Sequence, residues 1–176
     1  MTHEFSDFKS AIAWTDFQDE TAPTGEWKPL STAWLKAIEV AAESFTMAAE
    51  TESPIETIFG AQFALALRPL CNDIGWKFSV GTGDDDLVLY PQFPLARFRY
   101  DFAVVAKWKA SPLVLIECDG KDFHSSADQQ ANDKLKDEAA ANAGIRLIRF
   151  TGSEINGDVD VCVRYTLSAM LKAAIQ

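Results

Sequence analysis

The chain has 176 residues, with 16 Lys and Arg against 26 Asp and Glu, for a formal charge of −10 at pH 7. Hydrophobic residues make up 48% and charged residues 24%, with only 9 Gly and 7 Pro, which excludes collagen-like and low-complexity chains and allows one sizeable core. No stretch approaches the ~18 uncharged apolar residues that cross a bilayer, and the opening Met1-Thr2-His3-Glu4-Phe5-Ser6-Asp7 lacks the basic and apolar regions of a signal peptide.

In chain order, Phe5, Phe8, Ile12 and Trp14 recur at helical spacing before a break at Thr21-Ala22-Pro23-Thr24-Gly25. Ser31 or Thr32 then caps an Ala-rich run to Ala49, in which Trp34, Ile38, Ala41, Phe45 and Ala48 form one stripe. Ser53-Pro54-Ile55-Glu56 is a strong helix start: Ser53 is the N-cap, Pro54 fits the first helical position, and Glu56 completes a capping box. Apolar positions from Ile55 through Phe63 and Ala66 carry that helix to about Leu70.

The period then changes from helical to extended. Trp76-Lys77-Phe78-Ser79-Val80 and Leu87-Val88-Leu89-Tyr90, joined by a Gly- and Asp-rich turn, predict a hairpin. Phe98 to Val105 is a third strand. Leu113 to Asp119 is a fourth, apolar on both faces until its acidic end, as in a central strand. A polar helix follows from Ala127 to about Ala143, stopped by Gly144. A fifth strand spans Ile145 to Phe150, and an amphipathic helix closes the chain from Val159 to Ile175. The expected domains are a helical extension over residues 1–52 and an α-β-β-β-β-α-β-α core over residues 53–176.

Three widely spaced cysteines, Cys71, Cys118 and Cys162, form no Cys-x-x-Cys pair and argue for a reducing compartment. A soluble cytoplasmic protein with no membrane partner is expected. The acidity by itself speaks against nucleic acid, but it is unevenly spread. Residues 1–96 carry a net −10, residues 97–149 a net +1 and residues 150–176 a net −1.

Asp101 lies in the third strand, and Glu117 and Asp119 lie two apart on the fourth, so the latter two face one way. Carboxylates brought together on a buried strand repel one another and lose hydration. A hard divalent cation, Mg²⁺ or Mn²⁺, would relieve that repulsion. The alternative is that the acids mark an exposed strand end. Gly120 permits a turn, with Lys121 and His124 just beyond; His124 either works as an acid or base or caps the next helix. Asp133, Lys136 and Asp137 share a helical face, as ion-paired surface residues also do.

Taken in order, Ser53-Pro54-x-Glu56, Tyr100-Asp101-Phe102, Leu115-Ile116-Glu117-Cys118-Asp119-Gly120, Phe123-His124, Asp133-x-x-Lys136 and Gly144 to Ile155 resemble the PD-(D/E)XK nuclease superfamily. The closest branch holds the very-short-patch-repair-type endonucleases and related restriction-endonuclease-like domains. The resemblance covers about residues 53–155. It implies an α/β (α+β) restriction-endonuclease-like core, with a central mixed four- to five-stranded sheet flanked by helices. It implies Mg²⁺ or Mn²⁺ held by Asp101, Glu117, Asp119 and Glu56, the last of which serves equally as the capping partner of Ser53. Asp119 stands where the superfamily places its lysine; Lys121 and Lys136 are the substitutes, with Lys136 favoured. His124 resembles the branch's histidine after the Gly turn.

Under this reading the protein is a metal-dependent deoxyribonuclease. Arg97, Arg99, Arg146 and Arg149 are candidates to grip DNA phosphates, although Arg146 and Arg149 fall on opposite strand faces, so at most one joins the site. The alternative is a catalytically degraded module of the same fold that binds nucleic acid or a protein. A homodimer, or a protein partner on the N-terminal helices, is compatible with either.

Overall fold

The computed structural model describes residues 38, 41–81, 83–120 and 127–175, without the side chains of 127–130. The first expected helix, the break at residues 21–25 and most of the Ala-rich run lie outside the described residues, as do Lys121 and His124. The architecture is α+β. In order come helix α1 (residues 41–48), α2 (Pro54–Asp73), strands β1 (Phe78–Val80), β2 (Leu87–Leu95), β3 (Phe98–Ala106) and β4 (Val114–Asp119), then α3 (Ala127–Asn142), β5 (Arg146–Thr151) and α4 (Gly152–Ile175). The five strands form one mixed sheet in the order β1-β2-β3-β4-β5. No helix among the described residues is long and apolar enough to cross a membrane.

The sheet separates two cores. On one face α2 and α4 pack Phe59, Phe63, Leu67, Ile155 and Met170 against Leu89, Phe102, Val104, Ile116 and Phe150. On the other, α3 sets Ala140 over Tyr100, Ala103 and Leu115. Phe59 and Phe63 are both fully buried and sit 5.5 Å apart by ring centroid, so each contributes about 1.5–3 kcal/mol relative to an exposed ring. Met47 of α1 is also fully buried and belongs to the first core. The expected stripe faces the other way: Ala41, Phe45 and Ala48 are exposed, Phe45 to 82%. A run rich in alanine constrains its buried face only weakly, and the larger Met47 takes it.

Ser53 caps α2 as expected, its Oγ accepting from the Glu56 N–H at 3.3 Å. α3 ends on Gly144, which adopts φ 69° and donates to the Ala141 carbonyl at 2.9 Å. The expected hairpin between β1 and β2 is corrected: the two strands run parallel, Phe78 beside Leu87 and Val80 beside Leu89. Parallel neighbours ordinarily need a long crossover. Here β1 has three residues, so a short segment spans the ~10 Å return. That segment turns at Gly81 (φ 89°), and a Cβ on Gly83 would stand 2.8 Å from Ser79 Oγ. α4 also begins earlier than expected. Thr151 and Glu154 form a capping box, with Thr151 N–H donating to Glu154 at 2.8 Å and Glu154 N–H to Thr151 Oγ1 at 3.2 Å. The helix bends at Asp158 (φ −159°, ψ 89°), whose carboxylate caps the second segment through the Val161 N–H at 3.1 Å.

Gly60 brings α2 onto the core: a Cβ there would stand 2.7 Å from Met47 Sδ and 2.8 Å from Phe102 Cζ. Gly60→Val is expected to lower stability by about 1–3 kcal/mol in urea unfolding through overpacking. A variant as stable as the parent would contradict this close approach.

Candidate functional site

The site forms where β3 and β4 stop pairing. Their register runs Val104–Val114, Ala103–Leu115 and Phe102–Ile116 and then ends. Beyond it, the Cys118 N–H finds its acceptor in a side chain, Asp101 Oδ2, at 2.6 Å. The two-residue alternation of β3 also breaks here: Tyr100 packs on the α3 face, whereas Phe102 and Val104 face α2. Opposite this step, β2 carries Gln92 at φ 51°, and pairing skips from Pro91–Phe102 to Phe93–Tyr100. Gln92 Nε2 donates to Glu56 Oε2 at 2.8 Å. The same carboxylate accepts from the Glu52 N–H at 3.0 Å and from Ser53 Oγ at 2.6 Å. Glu56 is therefore a capping residue whose carboxylate is also tied to the sheet, and its charge reaches Asp101.

Glu117 points toward α3 and is buried at 5% exposure. Lys136 Nζ lies 2.9 and 2.8 Å from its two oxygens. The parallel register of β4 and β5 sets Arg149 beside Glu117. The Arg149 guanidinium stands 3.8 Å from Glu117, 3.5 Å from Asp119, 3.8 Å from Asp133 and 3.1 Å from Asp137. Glu117 and Asp119 do share a face, and that face meets two cations from other elements.

Burial dominates the electrostatics. Asp101 is pushed up to about 7, first by loss of water and next by the charge of Glu117, with the Cys118 N–H working against both. Burial also raises Glu117, opposed by Lys136 and Arg149, and raises Asp119, opposed by Arg149. Burial works against the charge of Arg149, but Asp137, Asp119 and Glu117 outweigh it and hold the guanidinium protonated.

The remaining arginines lie elsewhere. Arg146 donates to the Tyr165 hydroxyl at 2.6 Å, on the α4 side. Arg97 lies over the Phe98 ring at 5.0 Å, and Arg99 pairs with Glu52 near the start of α2. Asp101, Glu117, Lys136, Asp119 and Arg149 thus come together, with Glu56 adjoining. Gln92 and Tyr100 are not among the site residues that the sequence predicts. Gln92 carries no local signal, since its role depends on strand pairing, whereas Tyr100 stands inside the Tyr100-Asp101-Phe102 string.

Among the described residues, no group of three or more His, Cys, Asp or Glu is arranged to hold a metal ion. Asp101 and Glu117 offer two hard carboxylate donors, and Mg²⁺ is commonly held by one or two carboxylates with water completing its shell. The Lys136 ammonium already rests on one of them. In donor chemistry the pair fits such a cation. Residues 92–169 match a family described as a protein of unknown function (DUF2726), a span that includes Asp101, Glu117, Lys136 and Arg149 but not Glu56. No curated protein and no solved structure gives a match.

An acid whose pKa is raised on folding stabilises the folded state below its unfolded value, and that contribution is lost as pH rises through the folded value. For Asp101 the window runs from about 4 to about 7. In EDTA at pH 8, Asp101→Asn is expected to melt about 3–8 °C above the parent, with the gap closing toward pH 4. A variant less stable than the parent at pH 8 would contradict the burial of charge at this position.

Proposed function

We propose that this chain hydrolyses DNA phosphodiester bonds with the help of Mg²⁺ or Mn²⁺. The observation that carries the reading is the approach of two carboxylates withdrawn from solvent, the buried Glu117 and the half-buried Asp101, with the Lys136 ammonium lying on Glu117. Phosphodiester hydrolysis needs an aligned water, charge neutralisation at the phosphate and help for the leaving oxygen. A divalent cation held by Asp101 and Glu117 would supply neutralisation and make the attacking water more acidic. Lys136, on turning its ammonium from Glu117 to a phosphate oxygen, would pair with the developing charge and orient the water. The resemblance to PD-(D/E)XK nucleases points to the same three residues.

Two roles are narrowed from those first expected. Asp119 directs its carboxylate to Arg149, so it serves this reading as a holder of that arginine. Arg149 is ringed by four acids and ties α3 to the sheet, leaving phosphate contacts to other cations.

Incubation of the full chain with plasmid and single-stranded DNA tests the reading. Cleavage that requires Mg²⁺ or Mn²⁺ and stops with EDTA is expected. Glu117→Gln is expected to remain folded by circular dichroism and to cut about 10²–10³-fold more slowly. Equal cutting by Glu117→Gln and the parent would remove the assignment. Metal binding without cleavage of any substrate would favour the degraded module, a reading that the diversion of Asp119 to Arg149 supports.

A further inference from the structure

The phenol of Tyr100 touches Lys136 at two points, once through its hydroxyl and once through its ring. Tyr100 is fully buried, and its hydroxyl donates to the Lys136 main-chain carbonyl at 2.8 Å. That carbonyl lies in the middle of α3, where an oxygen has a second lone pair beyond its helical bond. The Lys136 ammonium lies 5.4 Å from the centre of the same ring, within the range of a cation–π contact. The far side of the ammonium rests on Glu117. A lysine stem has four rotatable carbons and, on a polar helix, ordinarily runs to water. Here the side chain is 17% exposed.

We propose that Tyr100 is the positioning residue for Lys136: its hydroxyl fixes the helix at the lysine's own carbonyl while its ring guides the ammonium onto Glu117. Tyr100 does not touch the reacting atoms. Two independent contacts to one residue, from a side chain that leaves the alternation of its strand to reach the α3 face, set it apart from an ordinary core tyrosine. A buried hydroxyl needs only one partner, and any carbonyl of α3 would do; a core aromatic has no need of an ammonium at its face. The proposal rests on the nuclease reading for its catalytic consequence, but the placement of the ammonium is measurable without it.

Tyr100→Phe keeps the ring and removes the hydroxyl, and Tyr100→Leu removes both. In the full chain without metal, proton NMR of ¹⁵N-lysine-labelled protein follows the Lys136 ammonium and its neighbouring methylene, assigned by their loss in Lys136→Met. The methylene is expected upfield in the parent and in Tyr100→Phe through the ring current, and at an ordinary position in Tyr100→Leu. Hydrogen exchange of the ammonium is expected to quicken about 3–10-fold in Tyr100→Phe. In cleavage assays kcat is expected to fall by the same factor with KM unchanged, and Tyr100→Phe is expected to cost nothing further in the Lys136→Met background. Ammonium exchange identical in parent and Tyr100→Phe overturns the proposal, even if Tyr100→Leu fails to fold. If the parent cuts no DNA, the nuclease reading falls and the NMR comparison still decides the placement of Lys136.

Discussion

Lys136 carries a positive charge into a space where Glu117 is buried and Asp101 is half-buried. Two carboxylates in such a place repel each other and lose hydration, and one ammonium offsets only part of that cost. At Asp101, loss of water and then the charge of Glu117 push the carboxyl up to about 7. Much of the surrounding architecture maintains this arrangement. The β3–β4 ladder stops at Phe102–Ile116, so that Asp101 can receive the Cys118 N–H. The β4–β5 register sets Arg149 beside Glu117. Asp137 and Asp133 on α3 meet that arginine, so the helix bearing Lys136 is fastened to the sheet.

Such a site is costly to keep unless the excess negative charge has a use. A structure selected for stability alone would do better with apolar residues at these positions, because replacing buried ions with well-packed hydrophobic residues is often neutral or stabilising. Under the proposed function a divalent cation and a phosphodiester would together balance the charge, with Asp101 and Glu117 holding the cation and Lys136 pairing with the phosphate. In the nuclease reading, the same ion pair that completes the apo fold is the one released toward substrate.

Local chemistry was the legible part of the fold. Ser53, Pro54 and Glu56 announce the start of α2 because capping involves residues within one turn, and Gly144 announces the end of α3 for the same reason. Thr151 and Glu154 have the same chemistry but follow directly on a strand, where the apolar pattern of β5 masks a helix start. Alternation around Phe78 and Leu87 marks extended chain but carries no information on partner direction, so the parallel pairing was out of reach. In α1, alanine and single large residues define no unique face, and Met47 rather than Phe45 turns inward. At the site, the shared face of Glu117 and Asp119 follows from strand geometry. Their separate cations, Lys136 for one and Arg149 for both, depend on the crossing of α3 and on sheet register. Tyr100 stands in the sequence only as part of the Tyr100-Asp101-Phe102 string, and its two contacts to Lys136 depend on how α3 crosses the sheet.

The most direct measurement is calorimetric titration of the parent with Mn²⁺ at pH 7 in buffers of different ionisation enthalpy. If Asp101 and Glu117 share a cation, Mn²⁺ binds and about half a proton leaves with each ion, since Asp101 must give up the proton it holds near neutrality. Asp101→Asn then binds more weakly and releases none. Absence of binding by the parent, or binding with the same proton release in Asp101→Asn, would contradict the account.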